Sequence, residues 1–475
     1  MNKNLKTVIS LAIICSVYLI FRTLNLESLP VFGDEAIYLR WSQIIKSVDT
    51  LRFLPLTDGK QPLFMWLTAL NLKFFSPLVA GRLISVFAGL GTIITLFLLT
   101  SSLLPSIVYI FLPFTFFFDR LATADNLLSF FGLLSLYLSL KLAKKPRLDL
   151  SMILGFVLGL AWITKSPAIY FLVLSLATFL FINPKNIKKI YFPLLSALIA
   201  FIIYNLLRLG PQFGQIAIRN KDYIWSLSEI LKHPLDPLVP HLKDVFRLYS
   251  YYLSLPFLLS PFIYFFLRKK IKFDRLFIVY FAWFILPLIA NAALAKVFTA
   301  RYILFTLPPL ILCSSYFLKP LFSKNYYLLL ILIFSLNIYR IFQISYHPYN
   351  LKLPSTETGY ITDWTSGWGI KETSQYLISR SKEANVIVGT EGSFGTLPDG
   401  LQIYTNNIPQ LTVFGVGINI ETIPEKLIDA KNHGDEVYLL FNASRLKLTT
   451  ADTSTLTLIS TTPKPDGDSL LLYRL

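Results

Sequence analysis

Residues 79–100 read VAGRLISVFAGLGTIITLFLLT, an apolar run in which Arg82 is the one charged residue. A helix of roughly 20 apolar residues spans the hydrocarbon core of a bilayer, which is about 30 Å thick. Similar runs recur along the chain with charged residues mostly between them, because unpaired charge in hydrocarbon costs several kcal/mol. The pattern predicts a polytopic α-helical membrane protein with about eleven spans, at about 5–24, 79–100, 104–118, 125–142, 149–164, 167–182, 190–208, 249–267, 276–295, 302–318 and 326–345.

Composition excludes an ordinary soluble protein. Charged residues make up 15% of the chain, against about 25% in globular proteins, and hydrophobic residues make up 54%. Much of the net charge of +17 lies in short loops between spans, which favours anchoring to anionic membrane lipids over nucleic-acid binding. Cys15 and Cys313 fall inside apolar runs, so no disulfide framework is expected. The first run continues to Phe21 without a clean cleavage pattern, which predicts an uncleaved first span.

Clusters of lysine and arginine give the spans a direction. Positive residues in short loops mark the cytoplasmic side, and counting spans places all of the large clusters on that one side. We therefore predict a cytoplasmic N-terminus. The clusters are Lys3 and Lys6; Lys141, Lys144, Lys145 and Arg147; Lys185, Lys188 and Lys189; Arg268, Lys269, Lys270, Lys272 and Arg275; and Lys319 and Lys324.

The same count places three long segments outside the cytoplasm, namely the loops 25–78 and 209–248 and the tail 346–475. Chemistry in these segments cannot use cytosolic ATP or nucleotide sugars. We predict two domains, a transmembrane domain over 1–345 and an extracytoplasmic domain over 346–475. In the tail, a predicted helix at 373–382 alternates with predicted strands at 385–389, 436–441 and 468–474, which indicates a small α/β domain.

The first outer loop carries two predicted interfacial helices. Over 34–48, Ile37 and Trp41 lie on an apolar face with Ile44, Ile45 and Val48, whereas Arg40, Gln43, Lys46 and Ser47 fall opposite. Pro62 suits the first position of a second helix that continues to residue 75, which is too short to span a membrane alone.

Several charged residues of the outer segments are candidates for chemistry. Asp34 could remove a proton from an acceptor hydroxyl, with Glu35 as a metal ligand or orienting group, or the pair could simply cap the helix. Lys60 could bind a lipid phosphate or act as an interfacial anchor. Two further groups lie at outer turns, and each could be a site or an ordinary loop feature. They are Asp119, Arg120 and Asp125 after the third span, and Lys165, Lys296 and Arg301 in later turns.

Four motifs occur in a fixed order along the predicted membrane domain: DEAIY at 34–38, GKQPLFMW at 59–66, DRLATADNLLSFF at 119–131 and ARYILFTLPPL at 300–310. In order and sidedness they resemble the GT-C glycosyltransferases. Within that fold they resemble the bacterial branch of the dolichyl-phosphate-mannose–protein mannosyltransferase family, which includes the lipid A aminoarabinose transferases. The resemblance covers roughly 1–345, which would be the catalytic domain.

The resemblance implies an inverting membrane glycosyltransferase of the cell envelope. It would transfer a hexose or pentose from a polyprenyl-phosphate donor to an acceptor hydroxyl at the outer face. Asp34 would be the acceptor base and Asp125 the second acidic residue. Lys60 and Arg301 would bind the donor phosphate, with Lys296 and Arg120 as further candidates, and Glu35 would be the candidate ligand if a divalent metal takes part. The expected partners are the lipid-linked sugar, membrane lipids and an acceptor that is protein, lipid or glycan.

Two features separate this chain from relatives. Gly59 replaces the acidic residue that precedes the lysine in the aminoarabinose branch, so lipid A is not favoured as acceptor. The loop 209–248 is too short for the β-trefoil domain of the eukaryotic branch. Two other classes stay open from the residues, a transporter or flippase of lipid-linked sugars and a membrane-anchored glycan-binding protein.

Overall fold

The computed structural model describes residues 3–254, 257–259, 261, 273–322, 327–449 and 453–475. The chain forms two compact units, each assembled from separate segments. The membrane unit comprises Met1–Leu26, Val48–Leu67 and Arg82–Phe342, and the mixed unit comprises Glu27–Ser47, Thr68–Gly81 and Gln343–Leu475. The predicted boundary at 345 lies close to the division at 342, but two pieces of the first outer loop belong to the mixed unit with the tail.

The described part of the membrane unit is helical. In three helices the boundary between the units falls within the helix: Leu63–Asn71, Pro77–Thr100 and Tyr327–Tyr346. The other helices of the membrane unit are Lys3–Thr23, Leu104–Ile110, Pro113–Phe118, Ala124–Lys144, Leu148–Trp162, Ile169–Ile182, Tyr191–Asn205, Gln215–Tyr223, Leu227–Lys232, Leu238–Tyr252, Arg275–Leu294 and Leu307–Phe322.

Five helical stretches in the described residues are long and apolar enough to cross a membrane: Pro77–Thr100, Ala124–Lys144, Ile187–Leu209, Arg275–Leu294 and Ala300–Leu318. Three shorter apolar helices accompany them, at Thr7–Thr23, Leu148–Trp162 and Ser166–Ile182. A polytopic helical membrane protein is therefore confirmed, and the count of eleven spans stays a prediction.

The third predicted span, 104–118, is not one helix. It consists of Leu104–Ile110 and Pro113–Phe118, both too short to cross a bilayer. Pro113 has no N–H and opens the second helix at its first position, so the hydrogen-bond ladder is interrupted at Phe111 and Leu112. The sequence prediction was wrong here because an apolar run does not reveal a helix break by itself.

About half of the eighth predicted span, 249–267, lies outside the described residues, as do Arg268, Lys269, Lys270, Lys272 and Lys324. Its described start belongs to helix Leu238–Tyr252, which begins in the predicted outer loop. The second interfacial helix is also shorter than predicted, because it runs only over Leu63–Asn71.

In the mixed unit, helix Gly33–Ser47 packs on helix Asp399–Thr405 through its polar side. Gln43 is buried and donates to the Ile403 carbonyl at 2.9 Å, and Arg40 donates to Asn406 Oδ1 at 2.7 Å. Two residues opposite the predicted apolar face, Arg40 and Gln43, therefore contact the α/β fold. Their burial was not predicted, because the pattern of residues 34–48 does not show what packs against the helix.

Five strands form one sheet in the mixed unit: β1 (Val386–Glu391), β2 (Leu411–Gly417), β3 (Glu436–Asn442), β4 (Thr457–Pro463) and β5 (Ser469–Arg474). The order is β2-β1-β3-β5-β4, with β1 parallel to β2 and β3, and β5 antiparallel to β3 and β4. Parallel neighbours need crossovers, and helices Asp399–Thr405 and Glu425–Asn432 supply them. Helix Ile370–Arg380 precedes β1.

The central strand β3 is buried along its whole length. Val437, Leu439 and Phe441 alternate onto one face, where they pack with Leu427 in an apolar core. The predicted α/β tail is confirmed, including the helix near 373 and three of the strands. Strands β2 and β4 were not predicted; β4 is largely exposed, and β2 is only partly buried and carries Gly415 and Gly417.

Candidate active site

An ion pair joins two distant positions of the membrane unit. Asp125 lies in the first turn of helix Ala124–Lys144 and is 3% exposed, and its Oδ1 is 2.5 Å from Lys165 Nζ. The turn at 145–147 joins this helix to Leu148–Trp162, which packs against it. The second helix therefore runs back along the first, and Lys165, three residues beyond its end, returns to the level of Asp125.

Lys165 also lies within a group of cations. Burial lowers the pKa of its ammonium, nearby Asp125 raises it, and the charges of Arg301 and Lys60 lower it. Its Nζ is 4.6 Å from the centroid of the Tyr302 ring, and the Arg301 guanidinium carbon is 5.2 Å from the same centroid. Tyr302 thus contacts two cations of the group.

Lys60 is held by a tight turn. Its N–H donates to the Pro55 carbonyl at 3.0 Å, and its Nζ lies 3.3 Å from Tyr223 Oη and 5.0 Å from that ring's centroid. The preceding Gly59 has φ 68°, and a Cβ there would come within 2.7 Å of Arg219 Cβ. Only glycine fits this close approach in a left-handed conformation.

Two links tie the turn of Lys60 to the turn of Lys165. Gln61 Nε2 donates to Ser166 Oγ at 2.7 Å, and the Leu63 N–H donates to the Ile163 carbonyl at 3.2 Å. Each bond joins a neighbour of one lysine to a neighbour of the other. The two predicted outer loops that carry Lys60 and Lys165 are therefore fixed against each other, which preorganises the cations.

Two predicted phosphate ligands have other surroundings. The Lys296 ammonium is exposed, donates to the Lys221 carbonyl at 2.8 Å and lies 4.8 Å from the Trp225 ring centroid. Arg120 is fully buried, donates to the Asn25 carbonyl and lies with its guanidinium carbon 4.9 Å from the Phe116 ring centroid. None of these contacts connects either residue to Lys165.

Asp119 belongs to a separate buried network. Its Oδ2 accepts from Arg22 Nε and from Tyr18 Oη, both at 3.0 Å, and its Oδ1 accepts from Tyr109 Oη at 2.9 Å. The two carboxylates of the expected group therefore have separate partners, because Asp125 pairs with Lys165. Asp119 pairs with Arg22, which the sequence interpretation gave no role.

Asp34 and Glu35 lie in the mixed unit, in the first turn of helix Gly33–Ser47. Glu35 is fully buried and its Oε2 accepts the Phe32 N–H at 3.0 Å, which is the geometry of a helix cap. In the described ranges, no group of three His, Cys, Asp or Glu side chains could hold a metal ion. The capping alternative therefore accounts for Glu35, and Asp34 stays the predicted acceptor base.

Sequence reasoning placed Lys165 at an outer turn but did not assign its role, and it missed Tyr302 and Tyr223. A signal for Lys165 was present, because it is an ionisable residue between two apolar runs on the same predicted side as Asp125. The two tyrosines gave no such signal. Aromatic residues make up 15% of this chain, so two more among them do not stand out.

Comparisons with known proteins agree with this fold. The family model described as dolichyl-phosphate-mannose-protein mannosyltransferase matches residues 59–207. A crystal structure of ArnT from Cupriavidus metallidurans bound to undecaprenyl phosphate superposes with a TM-score of 0.61 at 12% identity, covering 97% of both chains. The apo crystal structure of the same protein gives 0.57 at 12% identity with the same coverage. No curated protein sequence matches the chain.

The chain therefore has the GT-C fold of polytopic membrane glycosyltransferases, and the fold class and the resemblance predicted from the four motifs are confirmed. It is similar to ArnT over almost its whole length. Its likeness to the mannosyltransferase family covers the stretch that contains Lys60, Asp125 and Lys165. By fold and family likeness the chain is similar to multi-pass membrane glycosyltransferases, as predicted.

Proposed function

We propose that this protein transfers a sugar from a polyprenyl-phosphate donor to an acceptor hydroxyl at the extracytoplasmic face, with inversion at the anomeric carbon. The observation that carries the proposal is the grouping of the cations Lys60, Lys165 and Arg301 with Asp125. Several fixed cations in a membrane unit suit the phosphate of a membrane lipid, because charge-assisted hydrogen bonds to phosphate are strong. The ArnT structure bound to undecaprenyl phosphate supports this class of donor.

In the proposed reaction, the acceptor oxygen attacks C1 of the sugar while the bond from C1 to the phosphate oxygen breaks. Asp34 takes the proton of the acceptor hydroxyl, a role that rests on the motif resemblance. The departing phosphate gains negative charge, and Lys60 and Arg301 stabilise it. Preorganised charges contribute most where charge develops in the transition state.

Asp125 and Lys165 have a positioning role in this proposal. Their ion pair neutralises one cation of the group and holds the Lys165 turn, while Gln61 holds the Lys60 turn to it. Arg301 presents a planar guanidinium, which can bind two phosphate oxygens at once. Orientation follows the charge bias, with the N-terminus cytoplasmic and the tail extracytoplasmic.

Mass spectrometry of lipid-linked sugars tests the donor class. Removal of the gene should cause one polyprenyl-phosphate sugar to accumulate, and its mass identifies the sugar. Reintroduced wild-type protein should clear this lipid, whereas the Lys60→Ala/Arg301→Ala double variant should not. Arg208→Ala is the matched control, because Arg208 is an exposed arginine bonded only to Asn205 and stacked on Phe213 within the described contacts.

The transporter alternative gives a different result with purified protein in vesicles. A transferase forms polyprenyl phosphate when donor and acceptor are both present. A flippase moves labelled lipid-linked sugar between leaflets and leaves its phosphate–sugar bond intact. Movement without cleavage, together with no accumulating lipid in the deletion strain, would contradict the proposed function.

A further inference from the structure

A second positively charged site lies in the membrane unit, at helix ends that the sequence predicts to be cytoplasmic. A cavity of about 470 Å³ is lined there by Lys141, Lys144, Lys145 and Arg147, together with leucine and tyrosine side chains. These four residues follow one another around the end of helix Ala124–Lys144. None of them belongs to the group around Lys165.

Four helices contribute their ends to this cavity. Pro77–Thr100 and Ala124–Lys144 contribute their last turns through Leu98 and Lys141, and Leu148–Trp162 and Arg275–Leu294 contribute their first turns through Leu150 and Leu276. All four ends are predicted to be cytoplasmic by the span count. Their meeting at one cavity agrees with that count and places the cavity at the level of the inner lipid headgroups.

The charge of the cavity is poorly compensated within the described residues. Arg147 pairs with Asp149 at 2.7 Å, but both side chains are more than half exposed. Lys144 and Lys145 are exposed and have no ion pair with a described residue, and the Lys141 ammonium contacts only the Tyr137 ring, at 5.3 Å from its centroid. Several cations in one concave site can therefore bind an anion that the described residues do not supply.

Two general tendencies account for only part of this arrangement. Lysines at a helix C-terminus complement the helix dipole, and positive residues collect on the cytoplasmic side. The helix dipole does not explain Arg147, because this residue directly precedes the N-terminus of helix Leu148–Trp162, where the dipole disfavours a cation. Neither explains why the charges line a cavity between four helices.

The walls of the cavity identify the kind of anion. Five leucines line the cavity beside the cations: Leu98, Leu99, Leu140, Leu150 and Leu276. Leu98 is 47% exposed. A free phosphate ion would gain nothing from this apolar wall. A lipid would place its phosphate on the lysines and its acyl chains along the leucines, so both parts of the site would be occupied.

We infer that this cavity binds the phosphate headgroup of an anionic phospholipid of the inner leaflet. Basic sites at the cytoplasmic ends of membrane helices bind such headgroups, and each lysine beside the bound headgroup changes lipid affinity by roughly fivefold. The inference is independent of the proposed transferase reaction, which uses residues at the predicted outer side.

Native mass spectrometry of the purified full chain tests the inference, with phosphatidylglycerol, phosphatidylethanolamine and inorganic phosphate as probes. The wild type should retain one phosphatidylglycerol with at least roughly tenfold preference over phosphatidylethanolamine. The Lys141→Gln/Lys144→Gln/Lys145→Gln variant should lose about 100-fold of that affinity, since three charges that contribute roughly fivefold each are removed. The corresponding Lys-to-Arg triple variant should retain most of it, because the charge remains.

The matched control is Lys188→Gln/Lys189→Gln, which removes two exposed lysines of another predicted cytoplasmic turn and should change retention less than about twofold. Unchanged retention in the triple glutamine variant would overturn the inference. Equal displacement of the lipid by inorganic phosphate would also overturn it, because the site would then be specific only for a free anion. Undecaprenyl phosphate binding by the triple variant should equal that of the wild type, which separates this site from the proposed donor site.

Discussion

Asp125 Oδ1 and Lys165 Nζ are 2.5 Å apart, although forty positions separate the two residues in the chain. The pair joins the start of one apolar helix to the turn beyond the next. It satisfies the Asp125 carboxylate, and the charges of Lys60 and Arg301 lie close enough to lower the pKa of the Lys165 ammonium. This arrangement connects the architecture of the helical hairpin with the proposed binding of a lipid phosphate.

Removing either partner of this pair should destabilise the protein. Lys165→Met leaves a carboxylate that is 3% exposed without its ammonium, at a cost of about 1–3 kcal/mol. Asp125→Asn removes the charge but keeps the shape. The Asp125→Asn/Lys165→Met double variant should lose less than the sum of the single losses, as measured by thermal midpoints in detergent. Strictly additive losses would show that the two side chains are not coupled.

Arg301 should affect the donor more than the acceptor. We expect Arg301→Ala to weaken binding of undecaprenyl phosphate by about 10- to 100-fold, since a charge-assisted hydrogen bond contributes about 1.5–3 kcal/mol. Arg301→Lys should recover only part of this loss, because a lysine cannot bind two oxygens in one plane. Titration by native mass spectrometry measures both. An unchanged donor affinity with a weakened acceptor would place the donor phosphate elsewhere.

Asp34→Asn should reduce transfer by about 10²- to 10⁴-fold, which is the usual contribution of a general base. The asparagine can still cap the first turn of helix Gly33–Ser47, so the thermal midpoint should change little. Turnover of a purified polyprenyl-phosphate sugar and a melting curve of the same sample give the two values. Near-normal turnover would leave Asp34 with a capping role only.

Glu35→Gln should lower the stability of the protein and leave its turnover almost unchanged, which is the opposite of the effect expected for Asp34→Asn. Its Oε2 accepts the Phe32 N–H, and the neutral amide oxygen can accept the same bond with a weaker dipole interaction. We expect a loss of about 0.5–1 kcal/mol in stability and turnover within about twofold of the wild type. Turnover measured with and without a chelator completes the experiment. A chelator-sensitive wild type whose sensitivity disappears in Glu35→Gln would restore Glu35 as a metal ligand.

Asp399 should make the mixed unit sensitive to pH. Burial raises the pKa of its carboxyl to about 6, although its Oδ2 accepts the Gly395 N–H at 2.6 Å. The folded state therefore holds the proton more tightly than the unfolded state, whose pKa is about 3.9. The stabilisation is fully present below about pH 4 and is lost as pH rises through about 6, for a total of about 3 kcal/mol.

Hydrogen exchange of helix Asp399–Thr405 in the full chain measures this effect. At each pH, the ratio of exchange rates between wild type and Asp399→Asn cancels the intrinsic dependence on hydroxide. This ratio should rise between pH 4 and pH 6 and then stay constant, because only the wild type acquires a buried charge. A ratio that does not change with pH would show that Asp399 is ionised at the same pH in both states.

The sequence predicted which residues belong to the candidate site better than it predicted which of them form pairs. Lys60, Asp125 and Arg301 lie at the boundaries between apolar runs, where a charged residue suggests a functional role. The structure brings all three near Lys165. The partner of Asp125 could not be predicted, because several cations occupy predicted outer turns. Lys296 fits the same pattern, but its ammonium contacts Lys221 and Trp225.

The fold, too, could be predicted only in part from the sequence. Apolar runs predict helices that cross a membrane, yet they do not reveal the break before Pro113 or the burial of Gln43 on helix Asp399–Thr405. Both features depend on neighbours that are remote in the chain. The buried strand β3 was predicted because its seven residues are apolar enough to be recognised alone, whereas the exposed strand β4 was not.

The mixed unit is assembled from Glu27–Ser47, Thr68–Gly81 and Gln343–Leu475. About 350 residues, 48–398, therefore separate helix Gly33–Ser47 from the helix Asp399–Thr405 that covers Gln43, and ribosomes need about 18–70 s to make a segment of that length. During this interval the early helix lacks the helix that covers Gln43. Biogenesis of this protein consequently requires that most of the membrane helices be inserted before the mixed unit can close, so a premature stop late in the chain would leave Arg40 and Gln43 exposed to quality control.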